Sequence, residues 1–285
     1  LIAIAILITI PLSIGINDAG QRTVIQWPNG TTFVKFSPGM YLQAFGNTWE
    51  YNDVLTMDFD KSENTQGATL DQPGIRVRYR DGGLGKVYGV ARFEMPLTKE
   101  DMLKTHKAFR SPEGIATKLL RNVTEATLNH TAGLMTSEES YAEKRGVFAQ
   151  QGEYQLINGK YQTKLKSVTE IEYGYEWCLE DGLSEELEKE CENVKRTTVR
   201  IPVIESVGGK PVHLSSDLRK YGITIGSFEI VDWEYEQKTL DQISEKRKAT
   251  MAIITAKANA ERAKQDAITA EQQGLANVTV AKYEK

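Results

Sequence analysis

Three histidines, two cysteines and one glycine-rich turn are the residues of this 285-residue chain best suited to chemistry. His106, His130 and His213 are too widely spaced for a local metal-ligand motif. None lies in a local nucleophile motif, which leaves only a triad assembled in space. Asp81-Gly-Gly-Leu-Gly-Lys86 resembles a phosphate loop but lacks its first glycine at the required spacing. Val87 stands where a Ser or Thr would hold magnesium, so the stretch reads as a hairpin turn. No G-x-S-x-G elbow is present, and no pair among the many carboxylates is marked as poised for acid–base work. N-x-T sequons at Asn29, Asn122, Asn129 and Asn277 matter only in a eukaryotic secretory setting. The expectation is a non-enzyme with no catalytic residue, no cofactor and no metal. Two cysteines also exclude a disulfide scaffold or a Cys-rich metal protein.

The elements that would position any site come from composition and pattern. At 31.9 kDa the chain fits one large domain or two modest ones. Hydrophobic residues at 40% and charged residues at 26% are ordinary for a globular protein, not a disordered one. A net charge of −4 with a pI near 5.6 argues against nucleic acid as a partner. A mean hydropathy of −0.42 excludes a multispan membrane protein.

That average hides the first sixteen residues, Leu1 to Ile16, which carry no charge. As a helix the run spans about 24 Å, short of the roughly 30 Å of a bilayer core. The chain opens on Leu rather than Met, so residues 1–16 are read as the C-terminal part of a single-pass anchor. Leu1, Ile4, Leu7, Ile10 and Leu12 are its lipid-facing candidates. Two other readings stay open: a signal-peptide core cleaved near Ser13 and Gly15, and a buried strand. Only Arg22 and Lys35 flank the run on the visible side, too little to orient it.

Residues 17–95 read as β. Strands at Thr23–Trp27, Thr31–Phe36, Val54–Phe59, Ile75–Arg80 and Val87–Phe93 are punctuated by Pro28-Asn-Gly30, Ser37-Pro-Gly39 and Asp81-Gly-Gly83. Helices start at Thr98 with Asp101, at Ser111-Pro112, and at Thr136 with Glu139, the last running to about Gln151. Gly152 is read as returning the chain to strands, with a hairpin of Gln155–Ile157 and Lys160–Thr163 around Asn158-Gly159. Strands at Thr197–Ile204 and Pro211–Leu214, a short helix at Ser216–Tyr221 and a strand at Ile223–Val231 follow. From Gln237 to Lys285 no proline intervenes and the only glycine is Gly274, which allows one helix of about 49 residues, roughly 73 Å long. A helix of that length packs on another helix or projects alone.

Ala249, Ala252, Ala256, Ala260, Ala263, Ala267, Ala270 and Gly274 recur every 3 or 4 residues, a mean of about 3.6. All eight share one narrow helical face, which permits close helix–helix approach. Ala is also simply the best helix former, but the phasing favours an assembly face.

The order of parts resembles the SPFH (band 7) family of stomatins, prohibitins, flotillins and bacterial regulators of a membrane AAA protease. The resemblance rests on the strand Ala19-Gly-Gln-Arg-Thr-Val-Ile25, the segment Met135-Thr-Ser-Glu-Glu-Ser-Tyr-Ala-Glu-Lys-Arg-Gly146 and the junction Ile230-Val-Asp-Trp-Glu-Tyr-Glu-Gln-Lys-Thr-Leu240. It implies an α+β fold: an anchor at 1–16, a β-rich subdomain at 17–95, an α/β subdomain at 96–235 and a coiled-coil helix at 236–285. It implies a membrane scaffold assembled as a ring or closed cage. The partners would be copies of itself or a paralogue, the lipid bilayer and a membrane AAA protease. It carries no catalytic residues. A periplasmic membrane-fusion adaptor is the alternative, although such proteins insert a helical hairpin between β segments.

The chain departs from the family between 173 and 198. Glu176 to Glu192 holds eight acids and one lysine, and Leu179, Leu183 and Leu187 allow a short amphipathic helix. Cys178 and Cys191 bracket it. Paired, they would place the bulk of the chain on the extracytoplasmic side; unpaired, they fit a reducing cytosol.

Overall fold

The computed structural model describes residues 13–60, 70–71, 73–173 and 195–283. The chain divides into two compact units, one ending at Tyr235 and one beginning at Glu236.

The first unit opens with β1 (Ile14–Asn17), β2 (Gln21–Gln26), β3 (Thr32–Lys35), β4 (Gly39–Leu42) and β5 (Asn47–Asn52). β2 is the centre of a three-stranded antiparallel sheet between β3 and β5, while β1 and β4 form a separate ribbon. The Pro28-Asn-Gly30 turn forms as its residues require. Gly30 takes φ +84, and the Asn29 side chain accepts from the Thr31 N–H. Next come β6 (Val54–Asp58), β7 (Leu70–Asp71), β8 (Ile75–Arg78) and β9 (Leu84–Glu94).

Helix α1 (Lys99–Phe109) is capped by Thr98. Ser111 caps α2 (Pro112–Ile115), with proline in the first turn. A π-helical turn, Ala116–Leu120, carries the chain on into α3 (Arg121–Gly133). α4 (Ser137–Ala142) starts on a complete capping box of Thr136 and Glu139. After α5 (Arg145–Asn158) follow β10 (Thr163–Tyr173), β11 (Lys195–Ile204), β12 (Ser206–Val207), β13 (Lys210–Pro211), α6 (Asp217–Lys220) and β14 (Thr224–Tyr235). β14 closes a five-stranded sheet in the order β14-β9-β6-β7, with β8 also paired to β9. Leu55, Met57, Phe59, Ala91 and Phe93 from this sheet are buried, as are Leu120, Leu128 and Phe148 from the helices. Each large side chain so buried stabilises the fold by about 1.5–3 kcal/mol.

The second unit is a single helix, α7 (Gln237–Tyr283), 47 residues long and about 70 Å at ~1.5 Å per residue. The mixed α+β class and the long C-terminal helix are therefore as expected.

Several expectations change. Ile14–Ile16, assigned to the anchor, are strand: β1 pairs with β4 and the Tyr41 ring lies over Gly15, where a Cβ would meet it at 2.3 Å. Among the described residues no helix is long and apolar enough to cross a membrane; Leu1, Ile4, Leu7, Ile10 and Leu12 lie outside them. The hairpin at 155–163 is absent, because α5 continues to Asn158. Gly152 is not a breaker there. It lets α5 lie close to its neighbours, since a Cβ would stand 3.3 Å from Leu128 and 3.5 Å from Phe228. Gly159, at φ +100, ends the helix instead. The helix starting at Thr136 breaks at Glu143-Lys144, where Lys144 N–H reaches back to the Glu139 carbonyl. Cys178, Cys191 and the acidic stretch Glu176–Glu192 lie outside the described residues.

Candidate functional site

The β1–β4 ribbon is built to show an apolar face. Its register sets Ile14 opposite Leu42 and Ile16 opposite Met40, and directly opposed residues share a face. Those four side chains are 45%, 57%, 65% and 73% exposed respectively. Phe45, in the adjoining turn, is exposed too. That turn holds Ala44 and Phe45 at φ 48 and 60, a conformation that costs non-glycine residues about 1–2 kcal/mol each. The Ser13 carbonyl accepts from both the Gln43 and Ala44 N–H groups and fixes the turn. Backbone strain thus presents an aromatic ring to solvent beside four exposed aliphatic side chains. Monomeric soluble proteins seldom tolerate such a patch without a use for it.

Below the ribbon the contacts are polar and satisfied. The buried Asn17 amide donates to the carbonyls of Gln21 and Ser37, and its oxygen accepts from Thr23 Oγ1 at 2.7 Å. Trp27 Nε1 donates to the Leu42 carbonyl. Arg22, counted above as a membrane-flanking charge, is buried instead. It pairs with Asp53 at 2.7 Å and donates to the carbonyls of Met95 and Pro96. The ribbon is therefore pinned to the first sheet, and that sheet to the start of the helical region.

The residues screened for chemistry are engaged in structure. Asp81 turns the β8–β9 hairpin by accepting from Gly83 N–H and caps α4 by accepting from Ser137 N–H and Oγ. His106 meets the Tyr51 hydroxyl, and burial, with the Arg110 charge beside it, lowers its pKa. His130 Nδ1 lies 2.7 Å from Gln155 Oε1, and burial lowers its pKa as well. Gln155 is itself buried, donating to Thr131 Oγ1 and accepting from Tyr161 N–H. His213 Nδ1 contacts the Gly159 carbonyl at 2.8 Å. The three histidines do not converge, and among the described residues no His, Cys, Asp and Glu side chains gather as a metal-ligand group. A pocket of about 180 Å³ opens between α3 and α6, lined by Lys118, Asn122, Gln155, Lys160 and Ser216. No nucleophile there is paired with a base.

Among the described residues β10 and β11 pair only with each other, as a long two-stranded arm. On α7, Ala249, Ala252, Ala256, Ala263, Ala267, Ala270 and Gly274 are exposed, and Ala260 lies on the same helix. The apolar ribbon and the paired arm were not foreseen. Met40 and Leu42 alternate as a half-exposed strand should, but their partner strand lies more than twenty residues earlier in the chain.

The family model described as SPFH domain / Band 7 family matches residues 18–267, most of the chain. No curated protein matches it at a significant level.

Proposed function

The chain belongs to the SPFH domain / Band 7 family, and on that premise we propose that it is a membrane scaffold that assembles into a ring or closed cage. Members of this family are in general membrane-associated, non-enzymatic scaffolds. The observation that carries the reading here is the β1–β4 ribbon. Its exposed apolar face follows directly on the uncharged stretch Leu1–Leu12. Both would meet the bilayer, the stretch as an anchor and the ribbon at the interface. The mechanism is geometric. Membrane contacts confine a lipid patch, the folded bodies wall it laterally, and copies of α7 associate along the alanine face. A membrane protease of the AAA class is the client such a wall would restrain.

The helix contact is the testable part. Ala256 and Ala263 are exposed in the single chain, so glutamate at both positions leaves the monomer's fold unburdened. In a close helix–helix seam the same change puts like charges where only small side chains fit. Gel filtration of Ala256→Glu/Ala263→Glu in detergent should show loss of the large particle with unchanged circular dichroism below the melting point. An unchanged particle size would sink the helix-zipper reading.

A further inference from the structure

The arm formed by β10 and β11 is rooted as if it carries load. Its strands pair antiparallel from Thr163 opposite Ile204 out to Tyr173 opposite Lys195. At the base, Gln162 N–H donates to the Val212 carbonyl, Glu205 N–H to Gln162 and Val212 N–H to Glu205, each at 2.8 Å. Tyr161 is buried there, its ring against those of Tyr154 and His213. Beyond this root the ribbon has no third strand among the described residues, and Leu165 is 68% exposed. A two-stranded ribbon alone is marginal in water, so a firm base for one calls for a partner further out.

The two edges of the arm differ. Pro202 faces Leu165 in unbroken register. Having no N–H, it fits only where the backbone points away from the partner strand. The outer edge of β11 therefore lacks a donor. On β10 the same phase turns the N–H and C=O groups of Thr163, Leu165, Ser167 and Thr169 outward, with every donor present. β14, at the end of the five-stranded sheet, has no strand on its outer edge among the described residues. Bulges at Gly226 and Val231 bracket a regular stretch, Ser227–Ile230. The charges are complementary. Thr163–Thr169 and Thr198–Ile204 hold Lys164, Lys166 and Arg200 and no acid, whereas Thr224–Tyr235 holds Glu229, Asp232 and Glu234 and no base. Lys164 also approaches Glu205 of its own chain at 3.8 Å, and Arg200, opposite Ser167, lies on the other face of the ribbon, which leaves Lys166 as the β10 cation set to meet a partner.

We infer that the outer edge of β10 in one copy adds to the edge of β14 in a neighbouring copy, over Ser227–Ile230, with Lys166 opposite Glu229. Backbone pairing supplies the adhesion and the charges set the partner. Because arm and acceptor are different surfaces, the contact is head-to-tail and propagates from copy to copy until it closes. The inference rests on the scaffold reading and names a contact through which copies would meet.

The test uses the full chain in detergent with Cys178→Ser and Cys191→Ser as background. Val168→Cys together with Ser227→Cys, which the Lys166–Glu229 register sets opposite each other, should give a ladder of disulfide-linked multimers on mild oxidation, and either cysteine alone should give no ladder. Lys166→Glu should abolish the ladder, Glu229→Lys should abolish it too, and the two combined should restore it. The restoration rules out simple misfolding as the cause of loss. A large native particle with no ladder, or a purely intramolecular disulfide, overturns the arm contact and leaves the scaffold standing. A monomer by gel filtration before any oxidation overturns the scaffold reading itself.

Discussion

The Tyr51 hydroxyl lies 2.6 Å from Nδ1 of His106 and 2.8 Å from the carbonyl of Arg110. A hydroxyl has one proton. Donating it to Arg110 makes the oxygen an acceptor for Nδ1–H, which selects that tautomer of a neutral imidazole. The Trp49 ring lies 4.6 Å from the imidazole, centroid to centroid. The first sheet is thereby locked to the C-terminal turn of α1, where Arg110 takes the left-handed cap conformation. Tyr51→Phe strands a buried donor and loses a bond to a helix-end carbonyl. The expected loss is about 1–3 kcal/mol, read from urea unfolding as a lower midpoint with an unchanged slope.

The same histidine makes stability pH-dependent. Burial lowers the pKa of His106, reinforced by Arg110, and burial lowers that of His130 against an opposing hydrogen bond from Gln155. Between its folded value and the ordinary 6.5, each group binds more protons unfolded than folded. Stability is therefore full above 6.5 and falls as pH drops below it. Glu139 acts in a lower window. Burial pushes its carboxyl up, but the bond from Lys144 and the Thr136 N–H outweigh it and hold it below 4.5, so its contribution is lost as pH falls through that lowered value. Melting temperature should decline in two stages on acidification. A His106→Gln/His130→Gln variant should flatten the first stage and leave the second.

What the sequence discloses and what it conceals follow the range of the interaction. The caps at Ser111-Pro112 and Thr136/Glu139 were legible because a helix start is settled within four residues. Gly152 was misread because its reason lies on Leu128 and Phe228, distant in the chain. Local punctuation says breaker; tertiary packing says close contact. Arg22 looked like a surface charge because the carbonyls it serves belong to Met95 and Pro96. The apolar face of Met40 and Leu42 exists only once β1 supplies Ile14 and Ile16 beside them. The alanine stripe is the opposite case. It is fully visible in sequence, and its described members are exposed in the single chain.

Gly159 carries the turn from α5 into the root of the arm. It sits at φ +100, and a Cβ there would stand 2.0 Å from the Leu214 carbonyl oxygen. Backbone in this region is essentially reserved for glycine, at a cost of order 1–3 kcal/mol for other residues, before the clash is counted. Gly159→Ala should lower the melting temperature clearly. Gly146→Ala is the contrast: that glycine is in α5 with nothing within 4 Å of its would-be Cβ, and helix propensity favours the alanine by up to about 1 kcal/mol. Differential scanning calorimetry of the two variants should move in opposite directions. A Gly159→Ala protein as stable as the parent would contradict the backbone described for this turn.

The ribbon makes a claim about depth. If Ile14, Ile16, Met40, Leu42 and Phe45 meet the bilayer interface, the strain at Ala44 and Phe45 is offset by transfer of apolar area from water, at about 25 cal/mol per Å². Deleting these side chains would be a poor test, because the uncharged stretch before them could hold the chain to the membrane alone. A reporter at the ribbon separates the two contributions. An environment-sensitive dye on Met40→Cys, with Cys178 and Cys191 replaced by Ser, should shift its emission to the blue in liposomes. Nitroxide carried on the lipid chains should then quench it. The same dye on Gln150→Cys, an exposed position of α5 midway along the helix, should show neither effect. Quenching at neither site would leave the apolar face free for another protein. Quenching at Met40 alone would place the body of the scaffold against the lipid surface through β1 and β4.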